Sequence, residues 1–493
     1  VIDAGATENE HRERGDTVRA AGNLSAASDV YAQGVDLAPD EVALHLRLGN
    51  AFVAQARPAD AITRYRRAVA LDPAHREARI RLADALRRDA QYDAAAAILQ
   101  TLAAEFPLDP VVHKERGRLA FAQQELTEAH VHFTAAAVCK PDDPDVHHWL
   151  ANIANLRGDA QAARDHYARS LMLKPFLRVP AATSPASFSA LLLFAPGGAN
   201  TPPDTLVKGA PYDSLFVLLV PEIDYDIERL RGAGDVVVNL VSDVDHARAV
   251  MPTLQTLVER IGLPVVNHPR AIAQTDRVTV ATRLAHLPAC RVPGVEWSTP
   301  AQLTRELGLE ERRFPFLLRV PGTHGGEQFE KLATPAEVIT FVAQHPAQRL
   351  YVTEYVDYRS ADGFFRKYRF FFVGDQILPY HLAIGATWKV HHARTDMAQH
   401  PWMQHEEKDF LDDPAGAFGP HHFAALDAIR VTIGLDFFGI DCALDRDGKL
   451  VIFEVNASML VHENHGPFTY KAPAVARIKS AFDAMLAARA AAG

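Results

Sequence analysis

The chain has 493 residues, of which 48% are apolar and 23% charged, with a net charge of −10 and a pI near 6.1. This composition suits a globular protein of about three domains; it argues against a basic nucleic-acid surface, and no apolar run is long enough to span a membrane. Cys139, Cys290 and Cys442 stand far apart without CxxC spacing, and the start VIDAGATENEHRERGD is too polar for a signal peptide, so a reducing, cytoplasmic location without a cysteine zinc site is expected.

The first third is periodic. Pro39, Pro73, Pro107, Pro141 and Pro175 recur every 34 residues. Ala27, Ala61, Ala95, Ala129 and Ala163 precede them in phase, as do the large residues Tyr31, Tyr65, Leu99, Phe133 and Tyr167 and the small residues Gly15, Gly49, Ala83, Gly117 and Ala151. A small residue at fixed spacing lets two helices approach, a large one fills the gap, and proline ends the second helix of each unit. Over residues 8–175 this pattern resembles the tetratricopeptide repeat (TPR) family, whose units stack into a solenoid with a concave groove. The resemblance implies five helix-turn-helix units over residues 1–175. It also implies a groove lined by Asn50, Asp84, Arg87, Arg88, Lys114, Arg118, Asn152 and Asn155. Amides and bases there suit an extended peptide or its carboxylates; ordinary solvated faces or self-association as a homodimer are the alternatives.

Residues 176–188, FLRVPAATSPASF, read as a linker. Short apolar runs then alternate with helical stretches. Leu191–Phe194, Leu215–Val220 and Asp235–Val241 read as buried strands, and 224–231 and 246–261 as helices, which makes 189–274 an open α/β layer. Lys208, in the loop after the first strand, is a candidate contact for an anionic substrate, although a lone loop lysine is more often solvated. Leu263–Asn267 is a further short strand, and a helix is expected to start near Thr275, with Asp276 in its first turn and Arg277 next.

Arg313–Val320 reads as a strand running into PGTHGGEQFEKL. Gly322, Gly325 and Gly326 around Thr323 and His324 form a loop able to offer backbone N–H groups to phosphate oxygens, and Arg319 adds a cation just before it. No GK[ST] follows, so this is not a Walker A loop. Further strands are expected at Arg349–Tyr355, Lys367–Val373 and Gln376–Tyr380, with Arg366, Lys367 and Arg369 as a basic cluster. Residues 390–418 read as a long irregular insertion of the kind that serves as a lid. His391, His392, His400, His405, His421 and His422 match no zinc-ligand spacing and read as solvated.

The last strong feature is Phe437–Asn456, FFGIDCALDRDGKLVIFEVN. If Asp447-Gly448 is a two-residue turn, Leu444 faces Val451 and Asp441 faces Glu454, with Asn456 on the same face. Opposed carboxylates are destabilising unless a cation sits between them, and an oxygen-only set suits Mg²⁺; an edge hairpin with solvated acids is the alternative.

Read together, residues 186–493 resemble the ATP-grasp superfamily, especially its carboxylate–amine ligase branch: an α/β layer, N-x-P, a helix opening on Asp and a base, a strand with a base and a glycine loop, a strand ending in Glu, a basic strand, and D-x₁₂-E-x-N. That resemblance implies an ATP-grasp domain over 275–493, with a glycine-loop lobe at about 275–350 and a metal-binding lobe at about 351–493. It implies that Asp441, Glu454 and Asn456 hold two Mg²⁺ ions on ATP, that Arg277 and Arg319 replace the family's phosphate-binding lysines, and that Glu354, Tyr355 and Val356 form the adenine hinge. Asp362 is the ribose candidate, and Arg369 and Arg319 are the candidate catalytic cations. Lys389, Ser458, His462 and His465 are candidate substrate contacts; ASMLVHENHGPF after the metal residues departs from the family's Pro-Gly. The implied function is ATP-dependent ligation of a carboxylate to an amine, on a peptide or protein held by the repeats or with a small amino-acid co-substrate. A non-catalytic nucleotide-binding interaction protein and a phosphoryl-transferring kinase are the alternatives.

Overall fold

The computed structural model describes residues 8–20, 24–55, 57–196, 199–288, 290–304, 313–323, 326–345, 349–391, 395–462 and 466–493. The chain divides into two compact units. One holds residues up to 187 with segments 211–213 and 220–226; the other holds 188–210, 214–219 and 227–493.

The first unit is built from ten helices among the described residues: α1 Glu8–Ala20, α2 Leu24–Leu37, α3 Val42–Ala54, α4 Pro58–Leu71, α5 Arg76–Arg88, α6 Tyr92–Glu105, α7 Pro110–Ala122, α8 Leu126–Cys139, α9 Pro144–Leu156 and α10 Ala160–Leu173. Each repeat proline stands two residues beyond a second helix. Asp109-Pro110 and Asp143-Pro144 start first helices, with each aspartate capping backbone N–H groups and each proline at the first helical position. The glycine-to-ring packing expected from the repeat is present: a Cβ at Gly49 would come within 2.5 Å of Tyr65 and one at Gly117 within 2.9 Å of Phe133. The phased alanines Ala27, Ala61, Ala95 and Ala129 are fully buried. A short strand, β1 (Leu177–Val179), follows the helices within the expected linker.

The second unit opens with β2 (Ser189–Phe194), β3 (Asp213–Leu218), β4 (Val236–Asn239) and β5 (Val265–Val266), in spatial order β3-β2-β4-β5, with β2–β4 and β4–β5 parallel. The helical stretches are shorter than expected: Ile227–Arg231, then Val244–Ala247 and Met251–Ile261 as separate helices. After β6 (Cys290–Arg291), a four-stranded antiparallel sheet follows, in order β7-β10-β8-β9, from β7 (Val295–Ser298), β8 (Phe316–Arg319), β9 (Phe329–Leu332) and β10 (Leu350–Glu354).

The third sheet runs β12-β11-β13-β14-β6, with β11 (Phe365–Val373), β12 (Gln376–Gly385), β13 (Phe437–Leu444) and β14 (Leu450–Asn456) antiparallel and β6 parallel to β14. Alternation sorts its side chains. Tyr368, Phe370, Phe372, Leu382, Ile384, Phe438, Ile440 and Cys442 enter a core completed by helices Arg277–Leu284, Pro401–Asp412 and Pro420–Ile433. Arg369 and Asp441 belong to the opposite face.

Two expectations are corrected here. The stretch 390–418 is no irregular lid: helix Pro401–Asp412 buries Met403, Phe410 and Leu411 in this core. Its Glu407, fully buried, pairs with Lys471 at 2.7 Å and accepts from the Leu382 N–H at 3.1 Å and the Tyr470 hydroxyl at 2.6 Å. The apolar spacing of Met403, Phe410 and Leu411 was the available signal, obscured by flanking His, Asp and Pro. Likewise His422 is not solvated: it is buried, accepts from the Gly419 N–H at 3.0 Å and lies 2.7 Å from the Gly448 carbonyl.

Candidate functional site

The hairpin pairs Asp441 with Glu454 as expected, by a different route. Asp447-Gly448 is not a two-residue turn. The Asp445 N–H donates to the Lys449 carbonyl at 3.0 Å, and the Asp445 carboxylate accepts from the Asp447 and Lys449 N–H groups, so the loop is longer. Leu444 therefore faces Leu450, not Val451, and a bulge between Asp441 and Cys442 restores the acidic pair. Gly439 faces Asn456, and a Cβ on it would collide with Met459.

Asn267 holds this strand in place. Its side-chain oxygen accepts from the Asp436 and Phe437 N–H groups, both at 2.9 Å, and its amide donates to the Phe437 carbonyl at 2.6 Å. Its φ of +57° suits asparagine better than most residues. The N-x-P signal thus marks a clamp between the parallel sheet and the start of β13.

Register across the third sheet places His381, Arg369, Asp441 and Glu454 in one row over β12, β11, β13 and β14. Arg369 donates to Asp441 from Nε at 2.6 Å and Nη2 at 3.0 Å, and Lys367 pairs with the same carboxylate at 2.9 Å. Arg277, which begins its helix just after the cap Asp276, donates to Glu454 at 2.7 Å. Burial alone would raise Asp441, but Arg369 and Lys367 outweigh it and hold its carboxyl well below the usual range. Burial also pushes Glu454 upward; Arg277 and Arg319 override that and bring it to about 2 against the opposing Asp441 charge.

Arg319 differs from the other bases. It leads from β8 into the glycine turn, donates to the Thr323 carbonyl at 3.3 Å and lies 4.3 Å from the Phe329 ring centre. No carboxylate among the described residues lies within ion-pair distance of it. Burial, with Arg277 adding to it, lowers its pKa to about 10. The turn is closed by the Thr323 hydroxyl donating to the Val320 carbonyl at 2.7 Å and by the Val320 N–H donating to the Gln328 carbonyl at 3.1 Å. Gly322 has φ +73°, and a Cβ there would lie 2.8 Å from the His246 ring; Gly326 has φ +78°. His324, Gly325 and His465 lie outside the described residues.

An open cleft is lined by Arg277, Gly322, Thr323, Glu454, Asn456 and Ser458 together with Ser242, Asp243, Asp245 and Asp276. Sequence reading missed Asp243 and Asp245; Asp243 and Asp276 cap helices, and Asp245 accepts from the Tyr351 hydroxyl at 3.1 Å. Lys367 was read as one of a basic trio. Strand alternation separates them: Lys367 and Arg369 reach Asp441, whereas Arg366 turns to Asp362 and Glu406.

The oxygens expected to hold Mg²⁺ are of the right hard type. As placed, however, each has a protein partner: Asp441 its two bases, Glu454 Arg277, and Asn456 Oδ1 the Ser458 N–H at 2.7 Å and hydroxyl at 2.6 Å. Among the described residues no group of three or more His, Cys, Asp or Glu is arranged to hold a metal.

Other expected site residues are dispersed. Both Asp362 oxygens are taken by Arg366, at 2.9 and 2.7 Å. Exposed Glu354 pairs with Arg291 at 2.9 Å beside Tyr355, whose ring faces Lys331 at 3.8 Å, and Val356 is buried. Lys389 donates to the Phe329 carbonyl at 2.7 Å and to Glu330 at 2.9 Å, and Lys208 is exposed. The His462 N–H lies 3.3 Å from the Tyr380 hydroxyl oxygen.

Most of the expected groove residues of the first unit bond within it. Tyr65 and Tyr167 donate to Asn50 and Asn152 at 2.7 and 2.6 Å, as Tyr31 does to Asp16 at 2.6 Å. The repeats with Leu99 and Phe133 have no hydroxyl, and their equivalent residues pair elsewhere: Asp84 with Arg87 and Arg88, and Arg118 with Glu115 at 2.7 Å. Lys114 pairs with Asp143 at 2.9 Å, while Asn155 is exposed.

Residues 52–119 and 114–177 match two tetratricopeptide-repeat family models, so the helical unit carries a TPR domain, a class of repeat suited to protein–protein interaction. No curated protein matches the chain. Among solved structures it is similar to MamA from Desulfovibrio magneticus RS-1, with 18% identity and a TM-score of 0.31 over 34% of this chain and 96% of that one. It is also similar to a thermophilic TPR protein of Thermus thermophilus, with 19% identity and a TM-score of 0.32 over 34% of this chain and 92% of that one. PilW, a type IV pilus biogenesis factor, gives 22% identity and a TM-score of 0.31 over 34% of this chain and 77% of that one.

Proposed function

We propose that the α/β unit is an ATP-grasp ligase that activates a carboxylate as an acyl phosphate and joins it to an amine, on a peptide or protein recognised by the TPR domain. The observation that carries this reading is the set of four bases gathered at the Asp441–Glu454 pair. Arg277, Arg319, Lys367 and Arg369 gather at Asp441 and Glu454, and Arg319, half-buried, has no paired carboxylate among the described residues. A partly buried excess of cationic charge is costly unless an anion neutralises it, and a triphosphate beside the glycine turn would do so.

In this reading a substrate carboxylate oxygen attacks the γ-phosphorus of ATP and the β–γ P–O bond breaks, giving acyl phosphate and ADP. An amine nitrogen then attacks the acyl carbon, phosphate leaves, and the amine proton passes to solvent. Arg277 and Arg319 neutralise the triphosphate, and Arg369 and Lys367 face the charge that moves to the acyl phosphate. Asp441, Glu454 and Asn456 would hold Mg²⁺, which supplies further neutralisation of phosphate charge. The pairing of their oxygens with Arg277, Arg369 and Lys367 favours a second reading, a nucleotide-binding interaction protein in which bases alone hold the anion.

The test incubates the full chain with ATP, MgCl₂, hydroxylamine and a tryptic digest of serum albumin. Peptide-dependent hydroxamate formation supports ligation through an acyl phosphate. ADP formation without hydroxamate points to a kinase. ATP binding that survives EDTA, without turnover, supports the second reading.

A further inference from the structure

The repeat domain carries a histidine pattern with its own 34-residue period. His45, His113 and His147 each stand six residues after a repeat proline, with Nε2 at 2.9, 2.9 and 2.8 Å from that proline's carbonyl oxygen. A carbonyl can only accept, so Nε2 carries the proton and Nδ1 keeps its lone pair. On the second helices of the last two repeats, His132 and His166 are again 34 residues apart. Each faces the first-helix histidine of its own repeat, with ring centres 6.0 Å apart for His113–His132 and 5.5 Å for His147–His166.

In the last repeat the two Nδ1 atoms are 3.2 Å apart. Two imidazole nitrogens on one tetrahedral ion, each bonded at about 2.0–2.1 Å, lie about 3.3 Å from each other. The carbonyl behind His147 Nε2 is the outer support that metal-bound histidines typically have. Both rings are half-buried, which leaves room for water on the ion. Burial, helped by His147 and His130 and opposed by Asp165, lowers the His166 pKa and keeps it in the neutral, ligating form. The preceding repeat points the same way: His113 Nδ1 is buried without a hydrogen-bond partner, and buried His132 Nε2 stands 3.4 Å from Glu128.

From this geometry we infer that His147 and His166 form a site for one exchangeable divalent transition metal, such as Cu²⁺, Ni²⁺ or Zn²⁺, with water in the remaining positions. Imidazole nitrogens select these ions over Mg²⁺ and Ca²⁺. Binding would bridge α9 and α10 and stiffen the last repeat, independently of the chemistry of the α/β unit.

The full chain is titrated with CuCl₂ at neutral pH and followed by calorimetry and electron paramagnetic resonance. The first equivalent is expected to show two equatorial nitrogens and to raise the melting temperature of the repeat domain. His166→Gln should weaken that equivalent at least about tenfold, reduce the signature to one nitrogen and remove the thermal shift, whereas His132→Gln should retain all three. If His166→Gln lowers helicity, His147→Gln, whose amide can still donate to Pro141, replaces it. Absence of copper binding by the wild-type chain overturns the site, as does an unchanged affinity and nitrogen signature in the variants.

Discussion

Arg319, at the start of the glycine turn, is a cation that no carboxylate among the described residues satisfies, so its replacement separates anion binding from structure. Arg319→Met keeps the length and apolar contact of the side chain while removing its charge. It is expected to weaken Mg-ATP binding by about ten- to a hundredfold, measured by calorimetry, with no loss of thermal stability. Glu454 makes the complementary prediction. Its carboxyl lies at about 2 in the folded protein against an ordinary 4.5. A depressed carboxylate stabilises the fold above its ordinary pKa and loses that contribution as pH falls through the folded value. Stability of the α/β unit should therefore decline between about pH 4.5 and 2, and Glu454→Gln should flatten that decline in urea unfolding measured across the window. The sequence singled out Arg277, Arg319, Asp441 and Glu454, and the structure brings Arg277 and Asp441 into contact range of Glu454. The tie of Lys367 to Asp441 was not legible in the sequence, because it depends on which face of β11 each base occupies.

Elements were legible where a period enforced them. The first and second helices of each repeat follow from small, large and proline positions, yet the turns between them show where sequence and backbone conflict. Ala90 and Gln124 occupy the left-handed region at φ +57° and +65°, at the repeat position where Gly158 stands with φ +77°. Ala90→Gly or Gln124→Gly should raise stability by about 0.5–1 kcal/mol, read from the denaturant midpoint of the repeat domain. Gly117→Val should do the opposite, costing ~2–3 kcal/mol, since its side chain would occupy the space of the Phe133 ring. The hairpin shows the limit of local rules: Asp-Gly marked the loop correctly, but Asp445 recruited two further N–H groups, and a bulge took up the shifted register. The buried helix at Pro401–Asp412 was missed because its apolar residues were sparse and its anchor, Glu407, is charged.

For the molecule as a whole, a TPR domain and an α/β unit share one chain. If the repeats deliver a polypeptide substrate, removing residues 1–175 should sharply reduce hydroxamate formation on the albumin digest while leaving Mg-ATP affinity unchanged. Equal rates would show that the repeats serve another partner. The sequence by itself determined the solenoid, because every repeat solves the same local packing problem and repetition makes the solution visible. It also marked the acidic pair and the glycine turn, since their residue types stand out at short spacing. Only the tertiary structure decided that Asp441 and Glu454 are held by three bases, that Arg319 lacks such a partner among the described residues, and that the groove amides bond the tyrosines of their own repeats. Those outcomes depend on side chains brought together from distant strands and helices, where burial and charge select among partners that local patterns leave equivalent.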